Sequence, residues 1–196
     1  MTSPTLDKII SFQEQRFLLP GHYTWEEFEE LEALTADAPG LRISYLDGCV
    51  EFMTLGEQHE MLKKVIAILL EAYFFDKGIN FIPVGSATRR AKEKGASFEP
   101  DESYYIGQKK ENPDLAIEVN ITNVSIDKLE KYKRFQITEV WFWENNQLSV
   151  YHLNNDNYEL ITESQLLPEL DISLLRNCVL MPSIIEARTE FIKEIR

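Results

Sequence analysis

The stretch that decides the fold runs from residue 100 to residue 128 and reads PDESYYIGQKKENPDLAIEVNITNVSIDK. One carboxylate, Asp101, directly follows a proline, and a second, Glu118, lies inside an apolar run. Lys128 comes at the start of a predicted helix. Two carboxylates and a nearby lysine are suitable groups for holding a divalent cation and activating a water molecule beside it.

Glu118 is the stronger of the two acidic candidates on physical grounds. It lies between Ile117 and Val119 on a strand expected to be buried, where an ionised carboxylate is costly unless a cation or a donor compensates it. Asp101 could equally be a turn residue that bonds to nearby backbone N–H groups. Asp114 is an alternative ligand on the same strand face as Glu118, but its place after a polar turn favours a structural role.

Length and composition indicate one soluble globular unit. The 196 residues are 44% hydrophobic, which is enough for one sizeable core. We expect a single domain over residues 1–196, with a core at about 24–170 and a last helix at about 183–196. We expect neither a secretion signal nor a membrane span. Cys49 and Cys178 lack metal-ligand spacing, which favours reduced thiols and a cytoplasmic location.

The net charge of −13 argues against nucleic acid as a partner if it is taken for the whole chain. The acidic residues lie on the flanks, however: residues 84–134 carry 10 Lys and Arg against 9 Asp and Glu, and the remainder carry 10 against 24. The central basic residues could form a local basic surface, although solvated strand ends and a helix face explain each cluster equally well. They are Arg89, Arg90, Lys92, Lys94, Lys109, Lys110, Lys131, Lys133 and Arg134.

Three local signals organise the first half of the chain. Thr24 and Glu27 have the spacing of a capping box, which predicts a helix to about residue 34. The alternating pattern of residues 41–55 around Asp47-Gly48 predicts a β-hairpin. Apolar residues at helical spacing predict a long helix over residues 57–75.

The second half alternates strands with helical segments. A strand between two helices suggests a parallel crossover and therefore a mixed sheet. Trp141 and Trp143 lie on a strand that is apolar on both faces, so we expect them in the core. The predicted strands cover residues 79–88, 97–106, 114–119, 139–145, 148–153 and 158–162, and the predicted helices cover 126–135 and the last segment from 183.

This order, with two acidic residues on adjacent central strands, resembles the PD-(D/E)XK nuclease superfamily. Within it, the chain is similar to a restriction-endonuclease family that is abundant in cyanobacteria and was long catalogued as a domain of unknown function. The resemblance implies an α/β (α+β) restriction-endonuclease-like core, in which helices flank a mixed central β-sheet, with an N-terminal β-hairpin. It covers most of residues 25–170, and the matching blocks are FEPDESYYIG (98–107), PDLAIEV (113–119) and IDKLEKYKRFQITEVWFWENNQLSVYHL (126–153).

The resemblance also implies a metal site. Asp101 and Glu118 take the places of the superfamily's acidic residues, which bind Mg²⁺ or Mn²⁺, and the backbone carbonyl of Val119 is a further implied ligand. The standard pattern would place a lysine two residues after Glu118, where this chain has Asn120. The family usually carries its lysine at the start of the following helix, which corresponds to Lys128.

A histidine in GEQHE, His59, matches one that the family often carries ahead of its long helix. A catalytic role and a role at the helix start are equally compatible with its position.

Two functions follow from these residues. The first is a metal-dependent endonuclease acting on DNA, in which Asp101 and Glu118 bind the ion, Lys128 supports the water and the basic clusters engage phosphates. The alternative is a catalytically inactive nuclease-fold module that acts through protein–protein contacts, formed by the apolar stripe of the last helix or by a sheet edge. We expect a homodimer, because two subunits could cut the two strands of a duplex.

Overall fold

The structure, a computed structural model, describes residues 14–120 and 127–196. These residues form two β-sheets and five α-helices. The strands are β1 (Gln15–Leu18), β2 (Leu41–Leu46), β3 (Cys49–Thr54), β4 (Phe81–Pro83), β5 (Arg89–Ala91), β6 (Ala96–Phe98), β7 (Glu102–Ile106), β8 (Leu115–Asn120), β9 (Glu139–Glu144), β10 (Gln147–Asn154) and β11 (Asn157–Ile161). The helices are α1 (Trp25–Thr35), α2 (Glu57–Lys77), α3 (Asp127–Arg134), α4 (Ile172–Val179) and α5 (Ile184–Ile195), and Lys92–Lys94 form a short 3-10 helix.

Strands β2 and β3 form the hairpin that the Asp47-Gly48 pair predicts. Both residues have a positive φ, 44° for Asp47 and 88° for Gly48, as the favoured two-residue hairpin turn requires. The exposed His22 ring packs against Gly48, and a Cβ there would lie 2.3 Å from His22 Nε2 unless that ring moved. The hairpin lies in the first sheet, whose strand order is β1-β3-β2-β6-β5.

Helices α1 and α2 begin and end on the predicted signals. The Thr24 side chain accepts a hydrogen bond from the Glu27 backbone N–H, and the Glu27 carboxylate accepts one from the Thr24 N–H, so the capping box is complete. Helix α2 ends at Gly78, whose φ of 64° is left-handed. A glycine takes this conformation without the steric cost of a Cβ.

The second sheet has the strand order β11-β10-β9-β8-β7-β4. Strands β8 and β9 are parallel, with α3 between them in the chain, and the other neighbouring pairs of this sheet are antiparallel. A mixed sheet flanked by helices, with a hairpin nearer the N-terminus, confirms the predicted α/β (α+β) fold class.

Both faces of the second sheet are covered. Helices α2, α4 and α5 pack on one face, where Trp141 and Trp143 are buried as predicted. Helix α3 and strand β6 cover the other face, where Phe98 and Tyr132 are buried. Strand β8 is therefore buried along its whole length, and a polar side chain on it needs a partner within the protein.

Two predicted strands are wrong. Residues 97–106 form no single strand, because β6 and β7 belong to different sheets and the chain crosses between them at Pro100, which has no backbone N–H to donate to a ladder. Residues 79–88 contain only the short β4, and β5 begins after them at Arg89. Strand β1 and helix α4 were not predicted.

Helix α5 begins after Ser183, as predicted, and the Ser183 hydroxyl accepts a hydrogen bond from Glu186 N at 3.3 Å. Its apolar stripe divides between the core and the surface: Phe191 and Ile195 are buried against the second sheet, whereas Ile185 is 77% exposed. Over residues 14–120 and 127–196, none of the helices has the length and apolar character needed to cross a membrane.

Candidate active site

Asp101 directly precedes β7, and Glu118 lies in the neighbouring strand β8. Strands β7 and β8 are antiparallel with Glu102 opposite Ile117, so continuing this register by one residue places Asp101 opposite Glu118. Directly opposite residues project from the same face of a sheet. Both are buried, with 1% of Asp101 and 7% of Glu118 exposed.

Asp101 is held by three groups. Arg42 Nη1 donates a hydrogen bond to Oδ1 at 2.6 Å, and the Val119 backbone N–H donates one to Oδ2 at 2.8 Å. His59 Nε2 lies 3.0 Å from Oδ1, close enough for an ion pair although its N–H is poorly aligned for a hydrogen bond. Burial raises the pKa of Asp101, but the contact with His59 and the charges of His59 and Arg42 outweigh it, and the pKa is lowered overall.

His59 is fully buried and lies between two carboxylates. Its Nδ1 is 2.9 Å from Glu14 Oε2, and its Nε2 faces Asp101. Burial lowers the pKa of His59, but the contacts with Asp101 and Glu14 outweigh it and raise the pKa from 6.5 to about 9. The imidazole is therefore cationic at neutral pH and belongs to the site, not to the helix surface.

Glu118 and Lys128 form the second part of the site. The Tyr132 hydroxyl donates a hydrogen bond to Glu118 Oε1, and Lys128 Nζ lies 3.5 Å from Oε2. Lys128 Nζ also donates a hydrogen bond to Oδ1 of Asn120, the residue that stands where the standard pattern has its lysine. Burial lowers the pKa of Lys128, and the charge of Glu118 opposes that shift.

Three residues of the site were not predicted from the sequence: Glu14, Arg16 and Arg42. Arg16 Nε donates to Glu14 Oε1 at 2.8 Å, and its Nη2 donates to Asn120 Oδ1 at 2.9 Å. Glu14 and Arg16 are two residues apart, which places both on one face of an extended segment. Strand β1 has only four residues, too few for a periodic pattern to be recognised.

These residues surround a cleft between the first sheet and helix α3. The cleft holds about 420 Å³ of empty space, part of it open to solvent. Glu118 and Tyr132 line it, whereas the Asp101 side chain has no exposed surface. Four cationic side chains line the cleft as well, and we call them the cleft cations: Arg16, Arg42, Lys128 and Lys131.

Acidic side chains pair with most residues of the predicted basic surface. Arg90 pairs with Glu29 and Glu32, and Lys92 pairs with Glu26, so acidic side chains of α1 neutralise both. The same holds for Lys94 with Glu111, Lys110 with Asp114, Lys133 with Glu130, and Arg134 with Asp47 and Glu130. Of the predicted basic residues, Lys131 alone is among the cleft cations.

Asp114 has the structural contacts that its turn position suggested. Its Oδ2 accepts a hydrogen bond from the Ile106 backbone N–H at 2.8 Å, and its Oδ1 lies 2.5 Å from Lys110 Nζ. It thereby ties the end of β7 to the start of β8.

The donor set matches a hard divalent cation in kind. Asp101 Oδ2 accepts one hydrogen bond among the described contacts, which leaves it a lone pair, and Glu118 opens onto the cleft. In the described ranges no group of three His, Cys, Asp or Glu side chains is arranged so that it could hold a metal ion. An ion at this site would therefore take further ligands from water, substrate or backbone, as Mg²⁺ commonly does. Metal binding by Asp101, Glu118 and Val119 stays a prediction.

Comparisons with known proteins identify the family. The chain matches the Uma2 family, described as "Putative restriction endonuclease", over residues 25–180. It is also similar to the crystal structure of a "putative nuclease belonging to DUF820" from Anabaena variabilis, with a TM-score of 0.53, 15% identity, and coverage of 86% of this chain and 99% of that chain. At this identity the likeness shows a shared fold. A comparison with curated proteins found no match. Because the family match spans most of the sequence, this chain belongs to the Uma2 family.

Proposed function

We propose that this protein is a metal-dependent endonuclease that hydrolyses phosphodiester bonds in DNA, with Mg²⁺ or Mn²⁺ held by Asp101 and Glu118. The observation that carries the proposal is the pairing of these carboxylates across β7 and β8, with the Lys128 ammonium 3.5 Å from Glu118. Family membership supports a nuclease in general terms.

Each side chain has a role that follows from its surroundings. Asp101 and Glu118 would hold the ion, together with the Val119 carbonyl. The bound ion would supply a water of lowered pKa and a countercharge for the transition state. The Lys128 ammonium lies where it can orient the attacking water and stabilise the developing negative charge.

Four cationic side chains and three carboxylates, those of Glu51, Glu99 and Glu118, line the cleft. The small excess of positive charge supports a polyanionic substrate. Arg42 and Lys131, which also pair with Glu99 and Glu51, line the cleft and would face backbone phosphates. A homodimer would present two such clefts to the two strands of a duplex.

The test is plasmid nicking in Mg²⁺ or Mn²⁺ by the wild type, Asp101→Asn and Glu118→Gln. Glu111→Gln is the matched control, because Glu111 lies between the same two strands with its side chain 86% exposed. We expect both site variants to lose about 10²–10³-fold in rate and the control to keep its activity. Absence of nicking by the wild type, or nicking by both site variants at the wild-type rate, would refute the proposal.

One observation favours the alternative of an inactive nuclease-fold module. Arg42 already gives Asp101 a cationic partner at 2.6 Å, which is the compensation that a metal would otherwise supply. If so, wild type and Asp101→Asn should bind Mn²⁺ equally weakly and neither should nick DNA. Calorimetric titration with Mn²⁺ separates this case from the enzyme.

A further inference from the structure

Strand β1 and the residue before it bring two charged side chains into the site from outside the family match. The match begins at residue 25, whereas Glu14 and Arg16 precede it. Their side chains are 0% and 12% exposed, while Phe17 between Arg16 and Leu18 is 56% exposed. Glu14 and Arg16 therefore face inward although Phe17 and Leu18 are both exposed, and buried charges are unusual unless they are paired.

Glu14 and Arg16 contact both halves of the site. Glu14 bonds to His59, which faces Asp101. Arg16 donates a hydrogen bond to Asn120, which also accepts one from the Lys128 ammonium. The planar guanidinium spans the two halves because its Nε and Nη2 point to different acceptors.

The orientation of the Asn120 amide depends on this arrangement. Its Oδ1 accepts hydrogen bonds from both Arg16 and Lys128, which uses both lone pairs. Its Nδ2 is buried and has no hydrogen-bond partner in the part of the chain that the structure describes. The last torsion of an asparagine is soft, so the two cations are what hold the oxygen towards Lys128.

A fixed oxygen matters because lysine is flexible. The four-carbon stem of Lys128 loses rotamer freedom when its ammonium is held, and Glu118 at 3.5 Å is too distant for a short hydrogen bond. Asn120 Oδ1 is therefore the contact that places the ammonium beside the carboxylate.

We propose that Arg16 is a positioning residue, which orients the Asn120 amide so that Lys128 is held beside Glu118, and that strand β1 is thereby part of the active site. The inference rests on the proposed nuclease function for its consequence in catalysis, but the positioning itself can be measured without activity.

The kinetic test compares Arg16→Met and Arg16→Lys with Arg188→Met, an exposed arginine on α5. We expect Arg16→Met to lower kcat about 10–100-fold, as loss of an outer-shell partner does, with little change in KM. Arg16→Lys should recover only part of the rate, because an ammonium cannot reach both acceptors, and full activity of Arg16→Lys would contradict the role of the fork. Arg188→Met should match the wild type.

A double-mutant cycle with Asn120→Ala distinguishes positioning from direct binding of DNA. If Arg16 acts through Asn120, Arg16→Met should cost nothing further in the Asn120→Ala background. An undiminished cost there, with a raised KM, would show that Arg16 binds the substrate itself and would overturn the proposal.

The readout that needs no activity is the ¹H–¹⁵N signal of the Lys128 ammonium, assigned by its loss in Lys128→Met. We expect a sharp signal in the wild type and Arg188→Met, since burial and a hydrogen bond slow exchange with water, and a broadened signal in Arg16→Met. An unchanged signal in Arg16→Met would refute the positioning role even if the wild type cuts DNA. A wild type that cuts no DNA but shows the expected broadening would refute the proposed function alone.

Discussion

The cleft cations and the outer basic residues Arg90, Lys92 and Arg134 differ in both burial and partners. The side chain of Lys92 is 61% exposed, and those of Arg90 and Arg134 are about one-third exposed. The cleft cations are between 9% and 14% exposed. The outer residues face carboxylates that are between 34% and 63% exposed, whereas Arg42 and Lys128 face the buried Asp101 and Glu118.

A run of basic residues in the sequence is therefore a poor guide to which cations line the site of this protein. The outer residues come mostly from one segment and are neutralised locally. The cleft cations come from three separate elements, Arg16 from β1, Arg42 from β2, and Lys128 and Lys131 from α3. Their interactions with neighbouring charges are strong because little water screens them.

We expect the largest effect on the rate of DNA cleavage at Lys128. Lys128→Met should lower the rate of DNA cleavage about 10²–10³-fold, because the developing charge loses a preorganised cation. Lys92→Met should leave the rate unchanged, since the Lys92 ammonium is exposed and pairs with Glu26, which is not a residue of the site. Single-turnover cleavage measures both. Equal losses in the two variants would remove the distinction between inner and outer cations.

The next effect concerns stability. Arg42→Met should lower the free energy of unfolding by about 3 kcal/mol, because it leaves a buried carboxylate without its guanidinium. Arg90→Met, which removes two surface ion pairs and the contacts with the Trp25 and Phe28 rings, should cost roughly 1 kcal/mol. Urea denaturation with Mg²⁺ absent gives both values. A smaller loss for Arg42 than for Arg90 would contradict the account.

The buried His59 predicts a pH dependence of stability. Its pKa is about 9 in the folded protein against 6.5 in the unfolded chain, so its stabilising contribution is full below pH 6.5 and is lost as pH rises through 9. The difference in unfolding free energy between the wild type and His59→Gln should therefore shrink across this range. Urea midpoints from pH 6 to 10 provide the test, and a constant difference would show that His59 is not charged in the fold.

The smallest effect is expected at Lys131. If it contacts a phosphate, Lys131→Met should reduce the slope of log affinity against log salt by about 1, equally for all DNA sequences. Lys133→Met, on the same helix but paired with Glu130 outside the cleft, should leave the slope unchanged. Filter-binding titrations over a salt series compare the two, and equal slopes in both variants would place the DNA elsewhere.

The sequence predicted those parts of the molecule whose signals are local. The capping box at Thr24, the Asp47-Gly48 turn and the long apolar periodicity of α2 each depend on neighbouring residues. The sequence also indicated Asp101 and Glu118 as candidates, Glu118 because an acid inside an apolar strand is conspicuous and Asp101 because of its spacing and the family block around it, and their role stays a prediction.

The parts that could not be predicted depend on contacts between distant residues. Arg42 lies 59 positions before Asp101, and Arg16 lies 104 positions before Asn120. No periodicity or spacing encodes such pairs. The sequence left the role of the basic segment around Arg90 open for the same reason, because its partners lie on α1, about 60 positions earlier.

The central claim is that Asp101 and Glu118 share a divalent cation, and anomalous diffraction from crystals soaked in Mn²⁺ tests it most directly. The account predicts one peak at about 2.1–2.2 Å from an oxygen of each carboxylate, which disappears in Glu118→Gln. A Mn²⁺ peak at another place in the protein, or the absence of a peak while Arg42 keeps its contact with Asp101, would contradict a shared cation.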